Sequence, residues 1–126
     1  MSAKLRRPLL LIATTEDAER LRGGLVLACA EAALGGTVRL FLQLDAVRLL
    51  APPVAAPRDA AHVAHGLPTL AGLLDDALEL GVAIMACQSG MALADLTPAM
   101  LDSRIGQGGP VGVLADAAPD VRLLIL

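Results

Sequence analysis

Residues 80–94 read Leu80-Gly81-Val82-Ala83-Ile84-Met85-Ala86-Cys87-Gln88-Ser89-Gly90-Met91-Ala92-Leu93-Ala94, the longest stretch of the chain without Asp, Glu, Lys, Arg or His. Its character changes at Cys87. Val82 to Ala86 is a continuous apolar run of strand length, the pattern of a strand covered on both faces. From Gln88 or Ser89 onward the residues suit a helix, which must end before Pro98. Gly81, Gln88, Ser89 and Gly90 interrupt the stretch, and no run of 18 or more apolar residues exists, so a membrane span is excluded. A strand feeding a helix through a cysteine is half of an α/β unit.

Working outward, the same alternation repeats. Pro8 to Ala13 is a second apolar run, followed by Thr14, set three before Asp17 as in a weak capping box. Glu16, Asp17 and Glu19 crowd the first turn of the next helix, where acidic charge suits the helix dipole. That helix presents Leu21, Leu25, Ala28, Cys29 and Ala32 on one face and stops at Gly35-Gly36. Gly23 and Gly24 inside it each cost about 1 kcal/mol relative to alanine, which implies a tight contact or a later helix start. Thr37 to Leu44 reads as a strand, Asp45 to Leu50 as a short helix, and Ala51 to Gly66 as the longest irregular segment. A helix runs from Pro68 to about Glu79. Pro98 to Leu101 forms one more turn, Gly106 to Pro110 a glycine-rich turn, Val111 to Ala117 a helix, and Val121 to Leu126 the last strand, an apolar run again read as covered on both faces. The expected fold is a single α/β domain over residues 1–126, a three-layer sandwich around a mostly parallel sheet of about five strands.

Composition narrows the function. The 126 residues include 26 leucines and 24 alanines but one aromatic, Phe41. The net charge is −3 and Lys4 is the sole lysine, so the chain lacks the basic stripe and stacking aromatics a nucleic-acid partner needs. The basic start, Met1 to Arg7, is followed by an apolar run too short for a secretory signal, which points to a cytoplasmic protein without a membrane partner. Cys29 and Cys87 stand alone, with neither zinc nor disulfide-scaffold spacing, so no metal is expected. The apolar excess, with Leu73, Leu74, Leu78 and Leu80 not evidently needed by the core, implies that part of it is a subunit interface.

Cys87 is the best-placed reactive group. It should sit at the carboxyl end of a sheet strand, where open α/β sheets build their sites. The amides of Gln88, Ser89 and Gly90 would face it, favouring an anion and a lowered thiol pKa, and Gly90 would let the backbone approach closely. The bland alternative is a buried cysteine acting as a small hydrophobe, and Cys29, among alanines on an apolar helix face, reads that way. His62 and His65, in the long segment, are candidate bases that could swing over Cys87. Ser89-Gly90 is no nucleophile elbow, because Cys87 takes the first glycine's place. Gly106-Gln107-Gly108-Gly109 matches a phosphate loop only loosely, and Asp75-Asp76 reads as a solvated helix face.

These pieces together resemble the DsrE/DsrF-like family of small sulfur-relay proteins (the DsrEFH/TusD type). The resemblance runs over nearly the whole chain: the first strand into Thr14-Thr15-Glu16-Asp17; Leu27 to Gly36 followed by Val38-Arg39-Leu40-Phe41-Leu42; and Leu80 to Ser89, like the strand that delivers the family's sulfur-carrying cysteine. It implies a compact, largely parallel α/β fold and homo- or hetero-oligomers (dimer, trimer or hexamer). It also implies a sulfurtransferase-like carrier whose Cys87 holds sulfane sulfur as a persulfide between donor and acceptor proteins, without a cofactor. Cys29 matches no motif. The competing readings are a non-catalytic oligomeric or regulatory subunit with an inert Cys87, and a small-ligand domain using the strand-end crevice and the Gly106 to Gly109 turn.

Overall fold

The structure, a computed structural model, describes residues 5–126; the first four residues of the basic start, including Lys4, lie outside them. In chain order the elements are β1 (Leu9–Ala13), α1 (Ala18–Ala33), β2 (Val38–Leu42), a 3₁₀ segment (Leu44–Leu50), α2 (Asp59–Ala64), α3 (Leu70–Glu79), β3 (Ala83–Cys87), α4 (Gln88–Leu93), a 3₁₀ turn (Pro98–Met100), β4 (Gly106–Gly108), α5 (Pro110–Ala115) and β5 (Arg122–Ile125). The five strands form one sheet in the order β4-β3-β2-β1-β5, and every pair is parallel.

The order dictates the layers. From β1 to β4 the chain steps one way across the sheet, so right-handed crossovers put α1, α3 and α4 on one face. The return from β4 to β5 runs the other way and puts α5 alone on the opposite face. Strand pleating sorts the side chains accordingly. Leu11, Leu40 and Ile84, aligned across β1, β2 and β3, face α1 and α3 and are almost wholly buried. Ile12, Phe41 and Met85 form the matching row on the α5 side.

Four sequence expectations change here. The glycine-rich turn at Gly106 to Pro110 holds a strand, Gly106–Gly108, paired with Met85 to Cys87. The irregular segment 51–66 contains α2. The first helix is capped by Asp17, whose side chain accepts from the amides of Glu19 and Arg20, instead of by Thr14. And β5 is not covered on both faces: it is an edge strand whose Leu123 and Ile125 are more than half exposed. The leucines left over on α3 are ordinary core, since Leu73 and Leu74 are buried and Leu78 packs against them, while Leu80 stays half exposed. Gly24 has its tight contact, because a Cβ there would strike the Leu126 side chain; at Gly23 the space is open and nothing explains the residue.

Two ionic staples secure the edges. Asp59 accepts from Arg22 Nη2 at 2.7 Å and from the amides of Ala56 and Leu70 at 3.0 and 2.9 Å, tying segment 51–69 to the buried Arg22 of α1. Glu31 of α1 lies between Arg6 and Arg122, at 2.6 and 3.0 Å. The guanidinium of Arg6, then that of Arg122, holds its carboxyl down to about 2 from an ordinary 4.5. A depressed carboxylate pKa stabilises the fold above the unfolded value, and that contribution drains away as pH falls toward the folded one. Urea midpoints of wild type should therefore fall between pH 4.5 and 2 more steeply than those of Glu31→Gln; parallel acid limbs would count against this staple.

Candidate functional site

Cys87 is the last residue of β3 and the N-cap of α4, with extended backbone angles (φ −68°, ψ 127°). Its partner across the sheet is Gly108, the last residue of β4. The chain leaves β3 toward one face and β4 toward the other, so these two neighbouring strands part at their carboxyl ends. That is the topological switch point at which open α/β sheets form a crevice. The strand-end cysteine and the glycine-rich turn, separate candidates in the sequence, are thus opposite sides of one place.

The crevice has a cavity of about 200 Å³ lined by Gln88, Met91, Ala92, Leu96, Pro98 and Gln107. Its lining carries no charged group: two side-chain amides and apolar surface. Gln88 and Ser89 are exposed on the first turn of α4, and Gly90 is buried. The Cys87 thiol itself does not line the cavity. It is 5% exposed and makes no capping hydrogen bond.

What covers this turn is the start of the 3₁₀ segment. A Cβ at Gly90 would lie 2.8 Å from the Leu44 carbonyl oxygen and 3.1 Å from its nitrogen, so only glycine permits this backbone-on-backbone contact. Leu44 is held at φ 54°, in the left-handed region, where a leucine is strained. The close approach at Gly90 is thus to the Leu44 main chain. Leu44 escaped sequence reasoning, because nothing in a leucine's identity announces its backbone angles.

The histidines are placed elsewhere. His62 Nε2 lies 3.9 Å from Glu19 on the first turn of α1, and His65 Nδ1 meets the Ala61 carbonyl at 2.9 Å. Both line a separate cavity with Arg58, Ala61 and Leu67, and neither hydrogen-bonds Cys87. Cys29 packs in the apolar layer, its thiol 3.9 Å from the Leu73 carbonyl, with burial and then the charge of Asp76 pushing its pKa up. Asp75, Asp76 and Glu79 stay on the exposed face of α3, and Asp75 is engaged by Arg104 at 2.7 Å. Among the described residues, then, no acid, base or metal cluster converges on Cys87. Exchange between sulfur atoms is a reaction that requires no such group, since its leaving group is itself a thiolate.

No family model matches the chain, and no curated protein matches it by sequence. Among solved structures, the crystal structure of the YchN protein from E. coli superposes with a TM-score of 0.69 over 96% of this chain and 100% of that one, at 17% identity. The fold is DsrE-like. In this chain that fold is an all-parallel five-stranded sheet with helices on both sides. Among the described residues, no helix is long and apolar enough to cross a membrane.

Proposed function

We propose that the chain is a cytoplasmic sulfur carrier that accepts sulfane sulfur on Cys87 and passes it on as a persulfide. The observation that carries this reading is the position of Cys87 at the β3/β4 switch point of a DsrE-like fold, beside a cavity with no charged lining. In the loading step the Cys87 thiolate attacks the outer sulfur of a donor persulfide. A new S–S bond forms at Cys87, the donor's S–S bond breaks, and the donor leaves as a thiolate, with no net oxidation. The acceptor repeats the exchange on Cys87 in turn. A persulfide on Cys87 would lie by the first amides of α4, which have no partner within the helix.

Donor and acceptor are proteins in this reading, and the chain works as a homo-oligomer. The half-exposed Leu123 and Ile125 of the unpaired β5 edge supply an association surface. A second reading, a non-catalytic subunit, draws on the same thiol's 5% exposure.

Native mass spectrometry after incubation with a persulfide donor tests both parts at once. The expected result is an oligomer that gains one sulfur per subunit in wild type and none in Cys87→Ser. A wild type that gains none, or a Cys87→Ser protein that gains as much, sinks the carrier; a monomer at micromolar concentration sinks the assembly. Equally slow labelling of Cys29 and Cys87 by a thiol reagent would favour the inert subunit.

A further inference from the structure

The α5 side of the sheet has thin cover. Its one helix is six residues long and buries only Val113. Beneath it lies a cavity of about 230 Å³, with Leu10, Phe41, Ala83, Met85 and Val113 in its apolar wall. Two arginines line it, and their electrostatic states differ. The Arg104 guanidinium is already shared by Asp75 and Asp102, at 2.7 and 2.8 Å, so two carboxylates more than balance its charge. Arg39, half-buried, has no carboxylate within ion-pair distance among the described residues. Its one hydrogen bond is from Nη2 to the Val113 carbonyl, at 3.1 Å. A guanidinium offers five N–H donors in a planar fork, so most of this one is uncommitted. Asp116 lines a second, neighbouring cavity together with Arg39 but forms no ion pair with it.

An unpaired cation in the wall of a largely apolar cavity calls for a ligand with a single negative charge and an apolar body. We propose that this cavity binds a small aliphatic carboxylate, its head on the free edge of Arg39 and its tail between Phe41, Met85 and Val113. At roughly 30 Å³ per water-sized group, the cavity takes a tail of about six to eight carbons. A monoanion is preferred to a dianion, because Arg104 brings no net positive charge. The site lies on the strands' α5 face, away from the cavity lined by Gln88 and Gln107, and owes nothing to sulfur chemistry at Cys87.

The test compares octanoate, 1-octanol and octyl phosphate by titration calorimetry. Octanoate is expected to bind wild type and Cys87→Ser alike, at least tenfold more tightly than either analogue. Arg39→Gln should weaken octanoate at least tenfold and leave octanol unchanged. Gly106→Leu supplies an independent arm: Gly106 lines the cavity outside the left-handed region, and an added Cβ meets only the Ile84 carbonyl, at 3.9 Å. Its side chain should fill the space and abolish octanoate binding in a protein that still unfolds cooperatively. No heat from octanoate at millimolar concentration, octanol binding as tightly, or unchanged octanoate affinity in Gly106→Leu would overturn the proposal. Should Arg39→Gln not fold, the head-group series on wild type and the Gly106→Leu result decide it.

Discussion

Phe41→Ala is expected to lower unfolding free energy by about 3–5 kcal/mol, the range for deleting a fully buried aromatic. Phe41 is the chain's one aromatic residue, 1% exposed, in the row Ile12–Phe41–Met85 across the middle of the sheet. Two features push the cost toward the upper end. The side chain borders an existing cavity, so truncation would enlarge a void instead of letting the neighbours collapse into a new one; the cost of such deletions grows with the void that remains. The α5 side also has only one short helix with which to adjust. Since small domains are stable by about 5–15 kcal/mol, such a loss is a large share of the total. Urea unfolding measures it directly. Phe41→Leu, which keeps most of the volume, should cost far less, and a Phe41→Ala loss below about 1 kcal/mol would contradict the packing described.

The second large effect is expected at Gly90. Gly90→Val places its Cβ 2.8 Å from a main-chain oxygen of Leu44, an atom that cannot swing aside as a side-chain end can. The 3₁₀ segment and α4 must separate, with an overpacking cost of about 1–3 kcal/mol. The same separation uncovers the turn that begins at Cys87. Thiol labelling of Cys87 in the folded variant should therefore be faster than in wild type, while labelling of Cys29, on the α1–α3 layer, stays as it was. Destabilisation with no change in Cys87 labelling would mean that the Leu44 contact does not control access to the thiol.

Most of the sheet was legible because covered parallel strands announce themselves as unbroken aliphatic runs. Pro8 to Ala13 and Val82 to Ala86 needed nothing else. Gly106–Gly108 was hidden for the converse reason: a strand of Gly-Gln-Gly has no side-chain pattern, and its pairing is main-chain bonding supplied by β3. Helix α2 was hidden because it buries none of its residues and is held by the carboxylate of Asp59. The run Val121 to Leu126 was legible as a strand but not as an edge, since position in the sheet follows from crossover order and not from composition. At the site, the strand-end place of Cys87 could be read from the turn that follows it. Its burial could not, because that depends on what distant parts of the chain pack around the end of β3. Nor does the sequence say which way His62 and His65 turn; Glu19 and the Ala61 carbonyl decide that.

The strand order has a kinetic side as well. Strands β1 to β4 are neighbours in sequence and in space, so each pairing closes a modest stretch of chain. The pairing of β5 with β1 is different: contacts there, such as Arg7 to the Asp120 carbonyl, span 113 residues. Closing that span costs about 1 kcal/mol more entropy than the roughly 30-residue closure of β1 on β2. Half-exposed side chains on β5 return little of it through burial. The final strand is therefore the seam that loop closure favours least, and it is secured chiefly where Arg122 meets Glu31 and the Arg7 carbonyl.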